Sequence, residues 1–312
     1  MENPAHGETN MKRALLLINP KSRKGAEAGV SAKAQLESHG FRVDWPEVGP
    51  SEFSNVIKNK KSEIDLVIVG GGDGSVRCAL SGVLATDLPL GILPLGTANN
   101  LARNVGLPVE LDVVCRVLWE GWTREIDIAE VNGIPFLNVV GMGLSTEVNE
   151  KVEPGLKKRL GVVAYMMTAL KHYRTLRSFK ARVVCDDKEF VTRAHQITVC
   201  NGRHFGSGLT IRPDATIDDG YLDVAIMEAK SLWSGVKVIH ELVRGHGRKR
   251  EGLRRIRAKH VTIETNKPLQ IDVDGDLMTK APADFRVKRN AVRVIAPKPD
   301  ALREAPLPQA EL

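Results

Sequence analysis

One run restricts what this chain can fold into more than any other: Leu66-Val-Ile-Val-Gly-Gly-Gly-Asp-Gly-Ser. Its four leading apolar residues read as a strand buried on both faces, the kind that fills parallel sheets. The run then empties into three glycines, an aspartate, a fourth glycine and a hydroxyl residue, and helical spacing follows over 74–85. Without Cβ atoms, backbone N–H groups at such a strand-to-helix corner can turn toward an anion, and the helix N-terminus adds partial positive charge. Taken alone, the corner reads equally well as a tight turn with Asp73 as a helix cap. Two common nucleotide loops are excluded. No Gly-Lys-Ser/Thr ending forms a P-loop, and Ser75 occupies the third glycine position of Gly-x-Gly-x-x-Gly.

The surroundings fit a mostly parallel sheet with crossover helices. Strands are expected at Leu15–Ile18, Phe41–Val43, Leu66–Val69 and Leu90–Leu93, and helices near 25–39, 53–61, 74–85 and 109–119. After Trp122 the pattern changes to short alternating strands: Glu125–Val131, Phe136–Val140, Lys180–Cys185, Ile197–Cys200, Leu222–Met227, His260–Thr265, Leu269–Val273 and Ala291–Ile295. That spacing predicts a β-sandwich or barrel, interrupted by helices near 156–176 and 231–244. The expected layout is therefore an α/β, Rossmann-like domain over 12–129 and a β-sandwich domain over 130–297. A tail over 298–312 is expected to return to the first domain. The tail and the first ten residues have the composition of partly disordered ends.

A second polar corner follows the fourth strand, Gly91-Ile-Leu-Pro-Leu-Gly-Thr-Ala-Asn-Asn-Leu-Ala-Arg-Asn. Pro94 and Gly96 force a turn, and Thr97, Asn99 and Asn100 supply caps at the start of a short helix. Asn19-Pro-Lys-Ser-Arg-Lys-Gly ends the first strand. In a doubly wound sheet, ligands bind outside the carboxyl ends of strands, where all three segments lie.

Composition narrows the function. With 42% hydrophobic and 27% charged residues the chain is globular rather than disordered. Its longest apolar runs, Ala14–Ile18 and Gly161–Met167, fall short of the roughly 20 residues that cross a bilayer. Met11-Lys-Arg-Ala-Leu-Leu-Leu-Ile reads as a first strand and not a targeting segment. Cys78, Cys115, Cys185 and Cys200 lack any Cys-x-x-Cys pair and suit reduced, mostly buried thiols in cytoplasm. The net charge of +7 is unevenly placed: residues 1–129 hold 14 basic and 16 acidic residues, the rest 31 and 22. Nucleic acid is an unsuited partner, because only 4% of residues are aromatic and no recognition motif is present.

The strand-Asn-Pro opening, the Gly-Gly-Asp-Gly-Ser corner and Pro94-Leu-Gly-Thr-Ala-Asn-Asn-Leu-Ala-Arg together resemble the diacylglycerol-kinase-like family of lipid kinases, which includes bacterial YegS-type enzymes and sphingosine kinases. Asn201-Gly-Arg-His-Phe-Gly-Ser-Gly, Pro213-Asp-Ala-Thr-Ile-Asp-Asp-Gly-Tyr-Leu-Asp-Val and Asp274-Gly-Asp extend the resemblance from about Lys12 to Pro297. The resemblance implies transfer of the γ-phosphoryl of ATP to a lipid hydroxyl, at an active site in the cleft between the two domains. It implies ATP binding by Gly71, Gly72, Asp73, Gly74, Ser75 and Thr97, with Asp44 a further candidate. It implies a magnesium ion held by Asp219 and the backbone carbonyls of Thr216 and Tyr221; oxygen-only ligation suits such a hard cation. Without the family context, Asp218-Asp219-Gly220 is an acidic turn.

Departures from the family pattern bear on catalysis. The family's general base is a Glu in the last motif, and Asp276, one methylene shorter, stands in its place. By itself, Asp274-Gly275-Asp276 also reads as a hairpin turn. Asn100 replaces an acid found in many relatives, Ser75 replaces a Thr, and Arg77-Cys78 replaces a frequent Asn-Glu pair. Asn100 and Asp276 leave one alternative beside the lipid kinase, a lipid- or nucleotide-binding protein that has lost turnover, and the Gly-Gly-Asp-Gly corner leaves another, an NAD kinase.

Two segments are candidates for contact with lipid. Residues 156–170 are apolar at 156, 160, 163, 167 and 170, which reads as a core-facing helix or as one lining an acyl-chain cleft. Arg244–His260 carries eight basic residues against Glu251 alone, which reads as a solvated face or as a dock for an anionic, cytoplasmic-side membrane surface.

Overall fold

The computed structural model describes residues 11–20, 25–144, 146, 178–205, 209–228, 232–247 and 249–298. The apolar runs of the first lobe form β1 (Arg13–Ile18), β3 (Leu66–Gly71) and β4 (Leu90–Pro94), parallel to one another, with β2 (Arg42–Asp44) at the edge in the order β2-β1-β3-β4. Alternate residues feed two cores. Leu15, Leu17, Val67, Val69 and Ile92 meet Phe53 and Ile57 of α2 (Phe53–Asn59) and Ala79, Leu80 and Val83 of α3 (Asp73–Thr86). Ala14, Leu16, Ile18, Ile68 and Leu93 meet Ala32 and Leu36 of α1 (Gly25–Ser38) and Val114 and Leu118 of α5 (Leu111–Glu120). A strand covered on both faces has no polar side to alternate, so these strands read as unbroken runs. All four expected strands and four expected helices are present, and a short α4 (Asn100–Asn104) follows the second corner.

The second lobe is a sandwich. One layer is the antiparallel sheet of β14 (Leu253–Ala258), β13 (Leu222–Met227), β10 (Gln196–Cys200), β7 (Val139–Gly143), β16 (Gln270–Val273) and β17 (Asp276–Lys280), in that order. The facing layer continues the sheet of the first lobe: beyond β4 come β18 (Ala283–Ile295), β15 (His260–Thr265), β8 (Phe179–Cys185) and β9 (Lys188–Ala194). β5 (Thr123–Val131) pairs with β18, and β6 (Ile134–Phe136) pairs with β5. Between the layers lie Phe136, Val140, Met142, Ile197, Val224, Val261, Ile271 and Phe285. Short β11 (His204–Phe205) and β12 (Leu209–Thr210) pair separately, and α6 (Leu232–Arg244) matches the helix expected near 231–244.

β5 and β18 bind the lobes together. Val292 and Val294 sit in the first core and Ala283 and Phe285 in the second, so β18 spans both. Their pairing breaks between Lys288 and Val292, and the buried Asp127 spans the break: its carboxylate accepts the Asn290 N–H at 2.8 Å and the Gly220 N–H at 2.7 Å. β18 thus brings the chain back to the first lobe, with Val294 opposite Leu90. The tail that was expected to make that return lies, from residue 299, outside the described residues, as do residues 1–10 and the segment expected to be helical over 156–176.

Three differences from the expected strands have local causes. Phe136–Val140 is two strands rather than one, because the N–H groups of Leu137 and Asn138 turn away to the Asp274 carboxylate. β17 completes a hairpin through Asp274 and Gly275, both at positive φ, the backbone that a two-residue hairpin turn requires. β14 lies inside the basic run. Of its arginines, Arg254 pairs with Glu228, Arg255 with Glu241 and Arg257 with Asp219, while Arg250 in the preceding turn also reaches Glu241. Much of the charge in that run is therefore neutralised within the protein. No helix among the described residues is long and apolar enough to cross a membrane.

Candidate active site

The order β2-β1-β3-β4 reverses direction between β1 and β3, which opens a crevice at their carboxyl ends. Asn19 ends β1 there. Its N–H donates to the Gly70 carbonyl at 3.1 Å and its amide to the buried Ser75 hydroxyl at 3.2 Å. The glycine corner is thereby tied to the neighbouring strand.

The two corners touch. The Leu95 N–H donates to the Gly71 carbonyl at 3.0 Å, and a Cβ on Gly96 would lie 2.4 Å from the Gly72 Cα. Asn99 holds the second corner shut from the left-handed conformation, accepting the Gly96 N–H at 3.0 Å and donating to the Pro94 carbonyl at 3.2 Å. Asp73 caps a helix, but α4 rather than α3. Its carboxylate accepts the N–H groups of Asn100 and Leu101 at 3.0 and 2.9 Å and the Asn100 amide at 3.3 Å. The start of α3 stays open: Gly74 is exposed, and a Cβ there would meet nothing within 4 Å. Thr97 is exposed on the second corner. The bare turn, the helix N-terminus and the crevice fit a phosphate chain.

The sandwich delivers its own residues to this crevice. The Asn138 amide donates to Asp73 at 3.2 Å, and the Asn138 backbone is held by Asp274. Asp274 accepts the N–H groups of Leu137, Asn138 and Val139 at 2.8, 2.9 and 3.0 Å. Burial pushes the Asp274 carboxyl up to about 6, against the pull of those three donors. Asp276 follows two residues later, at the first position of β17, with its side chain 63% exposed. Its carboxylate forms an ion pair with Arg77 of α3, whose other nitrogen reaches the Met278 sulfur at 2.9 Å. The two residues that depart from the family pattern at positions 77 and 276 therefore meet across the cleft.

The remaining candidates lie apart from this network. Asp44 ends the edge strand β2, separated from β3 by β1, and its carboxylate is held by Lys60 at 2.7 Å. Asp219 turns inward to the N–H groups of Thr216 and Tyr221, at 2.9 and 3.0 Å, and pairs with Arg257. With N–H donors on both oxygens and a guanidinium on one, that carboxylate does not fit a magnesium ion. Among the described residues no group of three His, Cys, Asp or Glu side chains is arranged to hold a metal.

Asn138 and Arg77 are the contributors that sequence reasoning passed over as site residues. Asn138 carried one signal, an amide in the middle of an apolar strand-like run. Asn104 is a third: it accepts the His204 N–H at 2.8 Å, carrying α4 to the Asn201-Gly-Arg-His motif.

Known proteins match both lobes of the chain. Residues 13–131 match the diacylglycerol kinase catalytic domain, and residues 138–296 the YegS C-terminal NAD kinase beta sandwich-like domain. A probable lipid kinase YegS-like protein of Alcanivorax borkumensis is 32% identical over 92% of this chain and 97% of its own. A diacylglycerol kinase of Bacillus subtilis is 28% identical over 93% of this chain and 98% of its own. The crystal structure of a diacylglycerol kinase from Bacillus anthracis str. Sterne covers 94% of this chain and 99% of its own, with a TM-score of 0.70 at 21% identity, and shares the fold.

Proposed function

The chain belongs to the YegS-type branch of the diacylglycerol-kinase-like lipid kinases, and we propose that it transfers the γ-phosphoryl group of ATP to a lipid hydroxyl, with diacylglycerol and phosphatidylglycerol among the fitting acceptors. The observation that carries this reading is the ion pair between Asp276 and Arg77. It places a solvent-accessible carboxylate of the sandwich beside the helix that starts at the glycine corner. Proton acceptor and phosphate cradle then belong to one crevice.

In this reading Gly71, Gly72 and Gly74 bring backbone N–H groups to the phosphates, and Thr97 adds a hydroxyl from the facing corner. Asp73 and Ser75 act behind them, holding α4 and Asn19 so that the cradle keeps its shape. ATP supplies the phosphoryl group. Preorganised N–H donors at the start of α3 stabilise charge on it as it transfers. Asp276 accepts the proton of the attacking hydroxyl, and Arg77 holds that carboxylate toward the cleft. A magnesium ion, where bound, would be held by the nucleotide phosphates and would neutralise their charge, with Asp219 not among its ligands.

The test is transfer of labelled phosphate from ATP to a membrane lipid extract, with the products identified by a mass gain of one phosphate. Label appearing on NAD instead would favour the NAD kinase reading, and no label on any acceptor would favour a binding protein. The Arg77 contact has its own prediction. Arg77→Ala is expected to lower kcat by about tenfold to a hundredfold with KM for ATP unchanged, since a misplacement near 1 Å has that scale of effect. Arg77→Lys should recover part of it. An unchanged kcat would mean that Asp276 needs no partner.

A further inference from the structure

Of the four aspartates in segment 212–223, where the family resemblance places a metal ion, Asp218 pairs with Arg124, and arginine fills the space between the other three, Asp214, Asp219 and Asp223. Asp219 is bonded by Arg257, whose Nε also lies 3.6 Å from Asp223. Asp223 is itself 1% exposed and lies 3.5 Å from Arg212, which grips Asp214 through two nitrogens at 3.2 and 2.7 Å. We infer that Arg257 is a built-in cation occupying the position of a divalent ion, so that the sandwich lobe of this chain needs no metal to fold.

Three observations make the placement of Arg257 a property of the fold. The register of β13 with β14 sets Asp223 directly opposite Arg257, which brings the two side chains together as cross-strand neighbours. The Tyr221 ring packs beneath the guanidinium at 4.9 Å, with Lys259 at 5.5 Å from the same ring. Tyr221 also donates its N–H to Asp219, so the turn that presents the acid carries the aromatic platform for the arginine. A magnesium ion demands near-octahedral oxygen ligands at about 2.0–2.1 Å. The guanidinium already stands on the carboxylate that such an ion would use, and the two cations repel. Removing the guanidinium would leave Asp219 with backbone N–H donors but no cation and the buried Asp223 with Arg212 alone, which is destabilising. A divalent ion would then relieve the same charge.

The experiment is thermal unfolding of the full chain, without nucleotide or lipid, in EDTA and in millimolar magnesium. Because no substrate is present, its outcome is independent of the phosphoryl-transfer reading. The unaltered protein is expected to melt at the same temperature in both, within about 1 °C, whereas an ion held at a hundred times its Kd would raise Tm by roughly 5 °C or more. Arg257→Ala is expected to melt lower in EDTA and to regain several degrees with magnesium. Arg257→Lys, which keeps a cation, should stay insensitive and covers the case in which the alanine variant does not fold. A rise of roughly 5 °C with magnesium in the unaltered protein or in Arg257→Lys overturns the inference. So does an Arg257→Ala protein whose loss magnesium does not return at all.

Discussion

Asp276→Asn is expected to lower kcat for lipid phosphorylation by about 10²–10⁴-fold, the usual contribution of a positioned general base, while leaving ATP binding intact. The substitution is nearly isosteric, and the side chain is exposed, so the fold loses little. The backbone at 276 is fixed elsewhere, by Asp274 and its three N–H donors two residues earlier. What changes is the capacity to take a proton and the charge that Arg77 grips. Initial rates with a labelled acceptor, set beside ATP affinity measured by calorimetry, separate the two. Unchanged turnover would mean that the base lies elsewhere. Asp276→Glu adds one methylene, and if reach limits the shorter acid, that variant should equal or exceed the parent rate. A rate far below it would mean that the Arg77 pairing is tuned to aspartate.

How much of this was legible depended on how far apart the cooperating residues lie in sequence. β1, β3 and β4 announce themselves because burial on both faces leaves unbroken apolar runs; β13, buried throughout and apolar but for Asp223, and β15, which alternates, have the bounds that the sequence predicts. β14 hides because the adjacent Arg254 and Arg255 break the polar-apolar alternation of Leu253-Arg-Arg-Ile-Arg-Ala. Its arginines face acids supplied by α6, by Glu228 and by the 219–223 segment, which a local pattern cannot show. The full length of β18 was equally hidden, since Arg286, Lys288, Arg289 and Asn290 interrupt the apolar pattern where the strand passes from one core to the other. At the site, the glycine corner was visible as a corner, but its contact with Gly96 was not. Arg77 and Asp276, 199 residues apart, each stood out singly as a departure from the family, and only the fold joins them.

The corner itself yields a prediction in which two glycine substitutions, both to alanine, part ways. Gly96→Ala is expected to destabilise the first lobe by about 3 kcal/mol or more, the upper range for overpacking. Its new methyl would sit 2.4 Å from the Gly72 Cα and 2.9 Å from the Gly72 nitrogen, and backbone on both sides cannot swing aside as a flexible side chain would. Relief requires parting the two corners, which strains the Leu95–Gly71 hydrogen bond and pulls on the Asp73 cap of α4. Gly74→Ala meets nothing within 4 Å and replaces a glycine in the first turn of α3, so Tm should hold or rise, with a gain of up to about 1 kcal/mol in helix propensity. That open side is where the phosphates are proposed to rest, and a methyl there should weaken ATP binding by about tenfold or more, the equivalent of about 1.4 kcal/mol. Melting curves and ATP titrations on both variants read the two effects separately. A Gly96→Ala protein with the parent Tm would mean that the corners do not bear on one another. A Gly74→Ala protein with the parent ATP affinity would move the phosphates away from the start of α3.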